Sequence, residues 1–263
     1  MSTLGTWLVA QGFADYDIEH KFGRNESMGS NFEPCSINGV YRTPQIGSAT
    51  PLRIAAGGDA NDTAAGTGAR EITVQYLDTN MIIQTETLVT DGASASSYTS
   101  GNVFRLLRFF VSASGNYSDA STGFGHVGNI TLEDSSSNVW GAIDSTGIAR
   151  GQSQIGVWTV PSQFNGYEVN EVYVSEYFLT ADGNKNVDFI LFSRGNADET
   201  APPYSSARIV REHALVSGGL PQTPSVPLGP YLPGTDIGWM VKSASSASAT
   251  VDTEFVIVKG DKV

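Results

Sequence analysis

The sequence predicts an all-β chain: an antiparallel β-sandwich, jelly-roll-like, built in two β-rich halves behind an extended N-terminal arm. Three observations carry this. Val, Ser, Thr, Gly and Asn are plentiful while Leu is scarce, a balance that favours strands and turns. Short apolar segments alternate with Gly, Pro and Asn breaks at the spacing of a sandwich or barrel. No window sustains an apolar stripe at i, i+3, i+4 and i+7 through several helical turns.

The first 50 residues are expected to form the arm. Trp7–Phe13 fits a short strand, but Phe22-Gly23-Arg24-Asn25-Glu26 and Glu33-Pro34 interrupt any long pattern. Trp7, Leu8, Phe22, Phe32 and Tyr41 are spaced irregularly, so the segment holds its place by laying apolar groups on its own body or on a neighbour. The first β-rich half is expected over residues 51–148. Its clearest element is a hairpin, Arg70–Leu77 and Met81–Val89, joined by Asp78-Thr79-Asn80. Ile72, Val74 and Tyr76 fall on one face of the pleat, Thr73 and Gln75 on the other. The small-residue lead-in Asp59–Gly68 reads as a loop near a subunit contact. Val103–Ser112 is the most apolar run and reads as a central strand paired with the hairpin. Asn129–Glu133 and Val139–Ile143 complete this half.

Ser145–Gln152, polar and punctuated by Gly, is the expected boundary. The second half, residues 149–263, holds strands at Ile155–Val160, Tyr167–Phe178, Val187–Ser193, Ser206–Val216, Ile237–Ser243 and Thr250–Lys259. Asp182-Gly183-Asn184 is a turn signal between two of them. Pro221–Pro233 reads as an extended excursion outside any ladder.

With a formal net charge of −12 over 263 residues, the chain is not suited to a nucleic-acid partner, which requires clustered Lys and Arg. The Arg105/Arg108 and Arg208/Arg211 pairs read as solvated strand positions or ion pairs. Cys35 is the single cysteine, so neither an intrachain disulfide nor a Cys-based metal site is available. No apolar run reaches the roughly 20 residues of a membrane helix, and no membrane partner is expected. The first residues lack a basic region followed by an apolar core, so no export signal is read there.

Chemistry is sparse. His20, His126 and His213 stand on separate segments without acidic or Cys neighbours at ligand spacing. Gly92-Ala93-Ser94-Ala95-Ser96 lacks the final Gly of a nucleophile elbow. Asp59-Ala60-Asn61-Asp62 begins like a calcium loop, but Thr63 and Ala64 replace a ligand and the Gly, and Arg70 takes the place of the closing Glu. Asp182–Asp188 starts similarly, with Lys185 between the would-be ligands and Val187 in the Gly position. Both read as turns. Trp140, Trp158 and Trp239 lie inside apolar strand patterns and read as core. No catalytic, cofactor-binding or metal-ligating residue is nominated, no cofactor is implied, and the chain reads as non-enzymatic.

Four segments, in chain order, carry a resemblance: Lys21-Phe22-Gly23-Arg24-Asn25; Asp62–Arg70 leading into a strand and Tyr76-Leu77-Asp78; Val157-Trp158-Thr159-Val160-Pro161; and Pro233-Gly234-Thr235-Asp236-Ile237 with the closing Glu254–Val258 strand. Together they resemble tailed-bacteriophage virion structural proteins. The loop Asp198–Tyr204 and the Pro221–Pro230 run depart from that pattern. The resemblance implies a capsid decoration (cement) protein on the outer surface of a virion assembled in the host cytoplasm. Its expected partners are the major capsid protein and itself, as a homotrimer. A tail-fibre, neck or receptor-binding component, or a carbohydrate-binding β-sandwich, would share the same fold class.

Overall fold

The computed structural model describes residues 15–41, 49–119, 121, 123–145, 150–182, 185–195, 199, 203–244 and 247–259, and its regular structure there is strand throughout apart from one 3-10 turn at Ile37–Gly39. In chain order the strands are β1 (Tyr16–Asn25), β2 (Glu33–Pro34), β3 (Arg53–Ile54), β4 (Ala69–Leu77), β5 (Ile83–Val89), β6 (Arg105–Ser114), β7 (Ile130–Glu133) and β8 (Val139–Ile143). They continue with β9 (Val157–Thr159), β10 (Gln163–Phe164), β11 (Tyr167–Asp182), β12 (Val187–Arg194), β13 (Arg208–Leu215), β14 (Gly218–Gln222), β15 (Leu228–Tyr231), β16 (Asp236–Ser243) and β17 (Ser248–Lys259). All pairings between them are antiparallel, as an all-β sandwich requires.

The chain divides into two compact units, Met1–Cys35 with Gly156–Val263, and Ser36–Ile155. This differs from the expected division into 1–50, 51–148 and 149–263. The physical reason is long-range pairing. β1 does not run as an arm but is hydrogen-bonded along its whole length to β17, from Tyr16↔Val258 to Asn25↔Ala249. Residues 1–14 of the expected arm lie outside the described residues.

The first unit is a jelly roll. One sheet runs β1-β17-β11, with β14 and β15 along the far side of β11; the other runs β13-β12-β16, with β2 and β9 along the far side of β16. Taking β1, β2 with β9, β11, β12, β13, β14 with β15, β16 and β17 as successive positions, the sheets read 1-8-3-6 and 2-7-4-5, the double Greek key of a jelly roll. The second position is a strand in two pieces. Glu33 and Pro34 pair with Val241 and Met240, the Cys35 amide donates to the Trp239 carbonyl, and Val157 to Thr159 resume opposite Gly238 to Asp236. The whole second unit is inserted in the middle of this one strand.

Alternation along the strands turns one face of each sheet inward. Val251, Thr253, Phe255 and Ile257 of β17 point into the sandwich, and Phe189, Leu191, Trp239 and Val241 meet them from the other sheet, all buried. Trp158 packs on Phe255 with ring centroids 4.8 Å apart, and Tyr177 on Trp239 at 5.0 Å. The Trp239 indole N–H donates to Thr253 Oγ1 at 2.9 Å, so the ring is buried without leaving its polar atom unpaired. Each such side chain contributes on the order of 1.5–3 kcal/mol by leaving water.

Pairing corrects one expectation about the later strands. The Pro221–Pro233 run is not outside the ladder: β14 pairs Pro221 with Phe178, and β15 pairs Leu228 and Tyr231 with Val174 and Val172. Proline is tolerated because these are edge strands, whose unbonded side needs no N–H. β11 ends at Asp182 and β12 begins at Val187, in the opposite sheet; Gly183 and Asn184 of the expected turn lie outside the described residues.

The second unit has two three-stranded sheets, β5-β4-β6 and β3-β7-β8. The hairpin reading holds: β4 and β5 pair from Glu71↔Val89 to Leu77↔Ile83, β6 takes the other side of β4, and Ile72, Val74 and Tyr76 are buried. Sheet packs on sheet closely at Gly141 of β8, where a Cβ would stand 2.9 Å from Phe109 Cε1 and 3.0 Å from Leu106 Cδ2 of β6.

Candidate functional site

The three histidines stay apart, each in a different setting. His126 uses both ring nitrogens, Nδ1 on the Gly128 carbonyl at 2.8 Å and Nε2 accepting from the Gly151 amide at 3.1 Å. An amide can only donate, so Nε2 is the lone-pair nitrogen and Nδ1 carries the proton. His213 reaches inward from β13 and shares a 2.9 Å hydrogen bond with the Tyr177 phenol. Burial and the nearby Arg211 guanidinium hold its pKa below the ordinary imidazole value. His20 is exposed on β1, 3.8 Å from Glu254.

Carboxylates in the oxygen-rich turns are occupied by backbone. Asp59 Oδ1 accepts from the Asn61 amide at 2.8 Å and from its side chain at 2.9 Å. Asp62 is buried and gathers three amides: Ala69 at 2.7 Å and Val127 at 3.0 Å on Oδ1, and Gly128 at 2.8 Å on Oδ2. This carboxylate explains the small-residue loop. A Cβ at Gly68 would stand 2.1 Å from Asp62 Oδ1, and one at Gly66 would stand 2.0 Å from the Asn61 carbonyl oxygen. Asp188 faces Lys242 at 3.4 Å. Among the described residues, no group of three or more His, Cys, Asp or Glu has the geometry of a metal site.

Further polar groups hold structure. Thr159 donates to Asp236 Oδ1 at 2.6 Å, while Arg194 spans Asp236 Oδ2 at 3.6 Å and Glu199 at 3.3 Å. Glu86 accepts from Tyr76 and from the Ser100 and Gly101 amides. Burial alone would raise its pKa, but these donors outweigh it and hold the carboxyl below the usual Glu range. Cys35 is fully buried, which pushes its thiol far above the ordinary pKa and leaves it unreactive. Trp140 is buried, with its indole N–H on Asp134, as a core reading requires. Arg105, by contrast, is not a solvated strand position: it is fully buried, donating to the Phe104 carbonyl and lying over the Phe104 ring.

Among the described residues two concave surfaces stand out, both on the jelly-roll unit. The first is a groove of about 250 Å³ on the outer face of the β1-β17-β11 sheet. Register builds it: His20 lies opposite Glu254, Glu254 opposite Glu176, Asp252 opposite Phe178, and Phe178 opposite Pro221. The Phe178 ring is exposed and lies over Gly219, where a Cβ would be 2.5 Å from the ring.

The second is a cleft of about 470 Å³ where β13, ending one sheet, faces β15 at the edge of the other. Arg208, Ile209, Arg211, Val226, Leu228 and Tyr231 are among its lining residues, and none of the lining residues is acidic. In the sequence Arg208 and Arg211 stand as an isolated basic pair. The available signal was a proline run too short to bury itself, lying opposite a strand with Ile209 and Val210 between two arginines.

The chain matches no protein-family model and no curated protein sequence. Against solved structures it aligns over 99% of its length with 78% of the chain in a crystal structure of the infectious bursal disease virus VP2 subviral particle, at 12% identity and a TM-score of 0.26. The structure of the infectious bursal disease virus Gx strain aligns with 100% of this chain and 78% of its own, at 11% identity and a TM-score of 0.25. Superpositions this loose carry no argument about function.

Proposed function

We propose that this chain is a non-enzymatic structural component of a virus particle. Within that class it is a decoration protein of a tailed phage, seated on the major capsid protein at the outer capsid surface as a homotrimer. The observation that carries the reading is the filled interior of the jelly roll. Jelly rolls serve as capsid domains, lectins and cupins, so the fold alone does not choose. A cupin-type activity requires a cavity between the sheets; here Trp158, Trp239, Phe189 and Phe255 occupy that space. The chain's working parts are then its outer surfaces, which is how a protein that covers and cements a shell operates. The −12 charge and the residues that resemble phage virion proteins support the same reading.

The test is to purify particles from the source of this sequence and locate the chain by reconstruction and quantitative mass spectrometry. The expected result is a copy number that fits the shell's symmetry and density on the outside of the head. Density confined to the tail overturns the decoration role, and absence from particles overturns the virion role.

One observation favours a second reading, glycan binding at the outer-sheet groove. An exposed ring, Phe178, lies beside Gln222, Asp252 and Glu254, which offer an aromatic face and hydrogen-bond acceptors to a sugar. Glycan-array binding that disappears in Phe178→Ala would establish it, and array silence of the wild type would remove it.

A further inference from the structure

Two opposite ends of the same sandwich are chemically complementary. At one end β1 is an edge strand, and among the described residues only β17 pairs with it. Its first residues expose Tyr16 and Ile18, at 40% and 43%, on one face, and Tyr167 nearby is 56% exposed. Asp15, Asp17 and Glu19 alternate with them; Lys259 stands 3.2 Å from both Asp15 and Asp17, and Lys21, further along the strand, is buried. The surface is apolar and acidic. At the other end, the cleft between β13 and β15 exposes Ile209 and Val226, at 62% and 59%, beside Arg208 and Arg211, with no carboxylate lining it. That surface is apolar and basic, in a chain carrying 27 acidic and 15 basic residues.

β13 also presents an unpaired edge, since among the described residues it pairs only with β12. An open edge flanked by exposed branched side chains is a template for another strand, and proteins that keep such an edge either blunt it or use it. Arg208–Leu215 contains no Pro and no Lys; its register irregularity against Leu191 and Phe192 and its exposed Arg208, Arg211 and Glu212 restrict which strand can add there, favouring one that brings carboxylates.

We infer that the β1 edge of one copy docks into the β13–β15 cleft of a second copy, with Tyr16 and Ile18 against Ile209 and Val226, and Asp17 and Glu19 facing Arg208 and Arg211. The occupant is a second copy of this chain because β1 carries the complementary surface, acidic and apolar on an edge strand. The two patches are different and lie at opposite edges of the sheets, so the contact is heterologous. A heterologous contact closes into a ring or propagates as a filament, and closure with three copies is the homotrimer. The inference rests on the self-association in the proposed function and assigns the surfaces that make it.

The experiment measures mass by sedimentation equilibrium for the full chain and for Ile18→Glu and Ile209→Glu, with circular dichroism to check folding. Both positions are exposed, so the fold tolerates the change. The wild type is expected at about 84 kDa, three times 27.9 kDa. Each variant alone is expected at the single-chain mass. An equimolar mixture is expected at twice that mass, because the intact β1 of I209E still fits the intact cleft of I18E, and no further contact can form. Should I209E misfold, Arg208→Glu takes its place with the same readout. A monomeric wild type, variants that remain trimeric, or a mixture that stays monomeric overturns the inference. Failure here and failure of the virion reading separate cleanly. A chain found on particles yet monomeric in solution removes only the ring, and a ring in solution absent from particles removes only the virion role.

Discussion

Asp62 shows how one side chain organises a loop that looked featureless. Its carboxylate accepts from the Ala69, Val127 and Gly128 amides, two of them from a segment more than sixty residues away, so removing it leaves three backbone donors without an acceptor. Each buried unsatisfied donor costs roughly 1–3 kcal/mol, part of which water recovers. Asp62→Ala is therefore expected to lose about 3 kcal/mol of unfolding free energy in a urea titration, with early hydrogen exchange at Gly128. A loss under about 1 kcal/mol would show that the loop is held by other contacts. His213 gives the pH response at this scale. Its pKa is depressed in the folded state by burial and by Arg211, against an ordinary value of 6.5. The folded state then binds fewer protons than the unfolded one, so this contribution is complete above about pH 6.5 and is lost as pH falls below it. The groups facing the imidazole are the Tyr177 phenol, the Trp239 ring and the Arg211 guanidinium. The difference in melting temperature between wild type and His213→Phe should narrow on acidification from pH 7 to 5. A constant difference would assign the acid sensitivity to other groups.

At the scale of elements, closeness of backbones decides more than side-chain type. Gly23 of β1 crosses the split strand where a Cβ would stand 2.1 Å from the Cys35 carbonyl oxygen and 2.5 Å from the Gly156 nitrogen. Both obstacles are backbone, so nothing can swing aside, and Gly23→Ala is expected to destabilise by about 3 kcal/mol or more. Gly29 has nothing within 4 Å of its would-be Cβ, and Gly29→Ala is the control expected to change stability by less than about 1 kcal/mol. Equal melting curves for the two variants would refute the crossing. The same contrast explains what could be read beforehand. The β4–β5 hairpin was legible almost to the residue because its alternation is local: Ile72, Val74 and Tyr76 face inward and a turn lies between the strands. β1 was not, because its partner lies some 230 positions away and its own pattern interrupts apolar residues with Glu19, Lys21 and Gly23. The β14 and β15 strands were hidden by their prolines, whose missing N–H matters only on the bonded side of an edge. The cleft arginines were visible as residues but not as a site, since what makes them one is the strand across from them.

For the whole molecule, the decisive feature is where the second unit enters the first. Chain order suggested an arm followed by two halves, a division that assumes neighbours in sequence are neighbours in space. Pairing overrides it, because β1 and β2 are needed to complete sheets whose other strands come after residue 155. The insertion interrupts one strand at Cys35 and Gly156, and the interruption is small. The Gly156 amide donates to the Cys35 carbonyl at 2.9 Å, the Cys35 amide to the Trp239 carbonyl at 2.9 Å, and the Trp239 amide to the Gly156 carbonyl at 2.9 Å. The ladder along β16 thus runs past the insertion point without losing its partners. Chain ends held this close can be joined by a short linker, so the geometry that admits a whole-domain insertion also permits its removal. Replacing residues 36–155 with two or three glycines should leave a jelly roll that melts in one cooperative transition, with Trp158 and Trp239 still buried by fluorescence. The residue range 36–155 expressed alone should fold as well, since the antiparallel Ser36–Ile155 bridge joins its ends and Ile72, Leu106, Phe109 and Leu132 give it a core of its own. If the shortened chain were unfolded while 36–155 folded, the insertion would be a scaffold that the jelly roll requires. If the shortened chain folded and kept the trimer mass, the docking surfaces on β1, β13 and β15 would be sufficient for assembly, and the inserted unit would be free to serve a different contact on the particle.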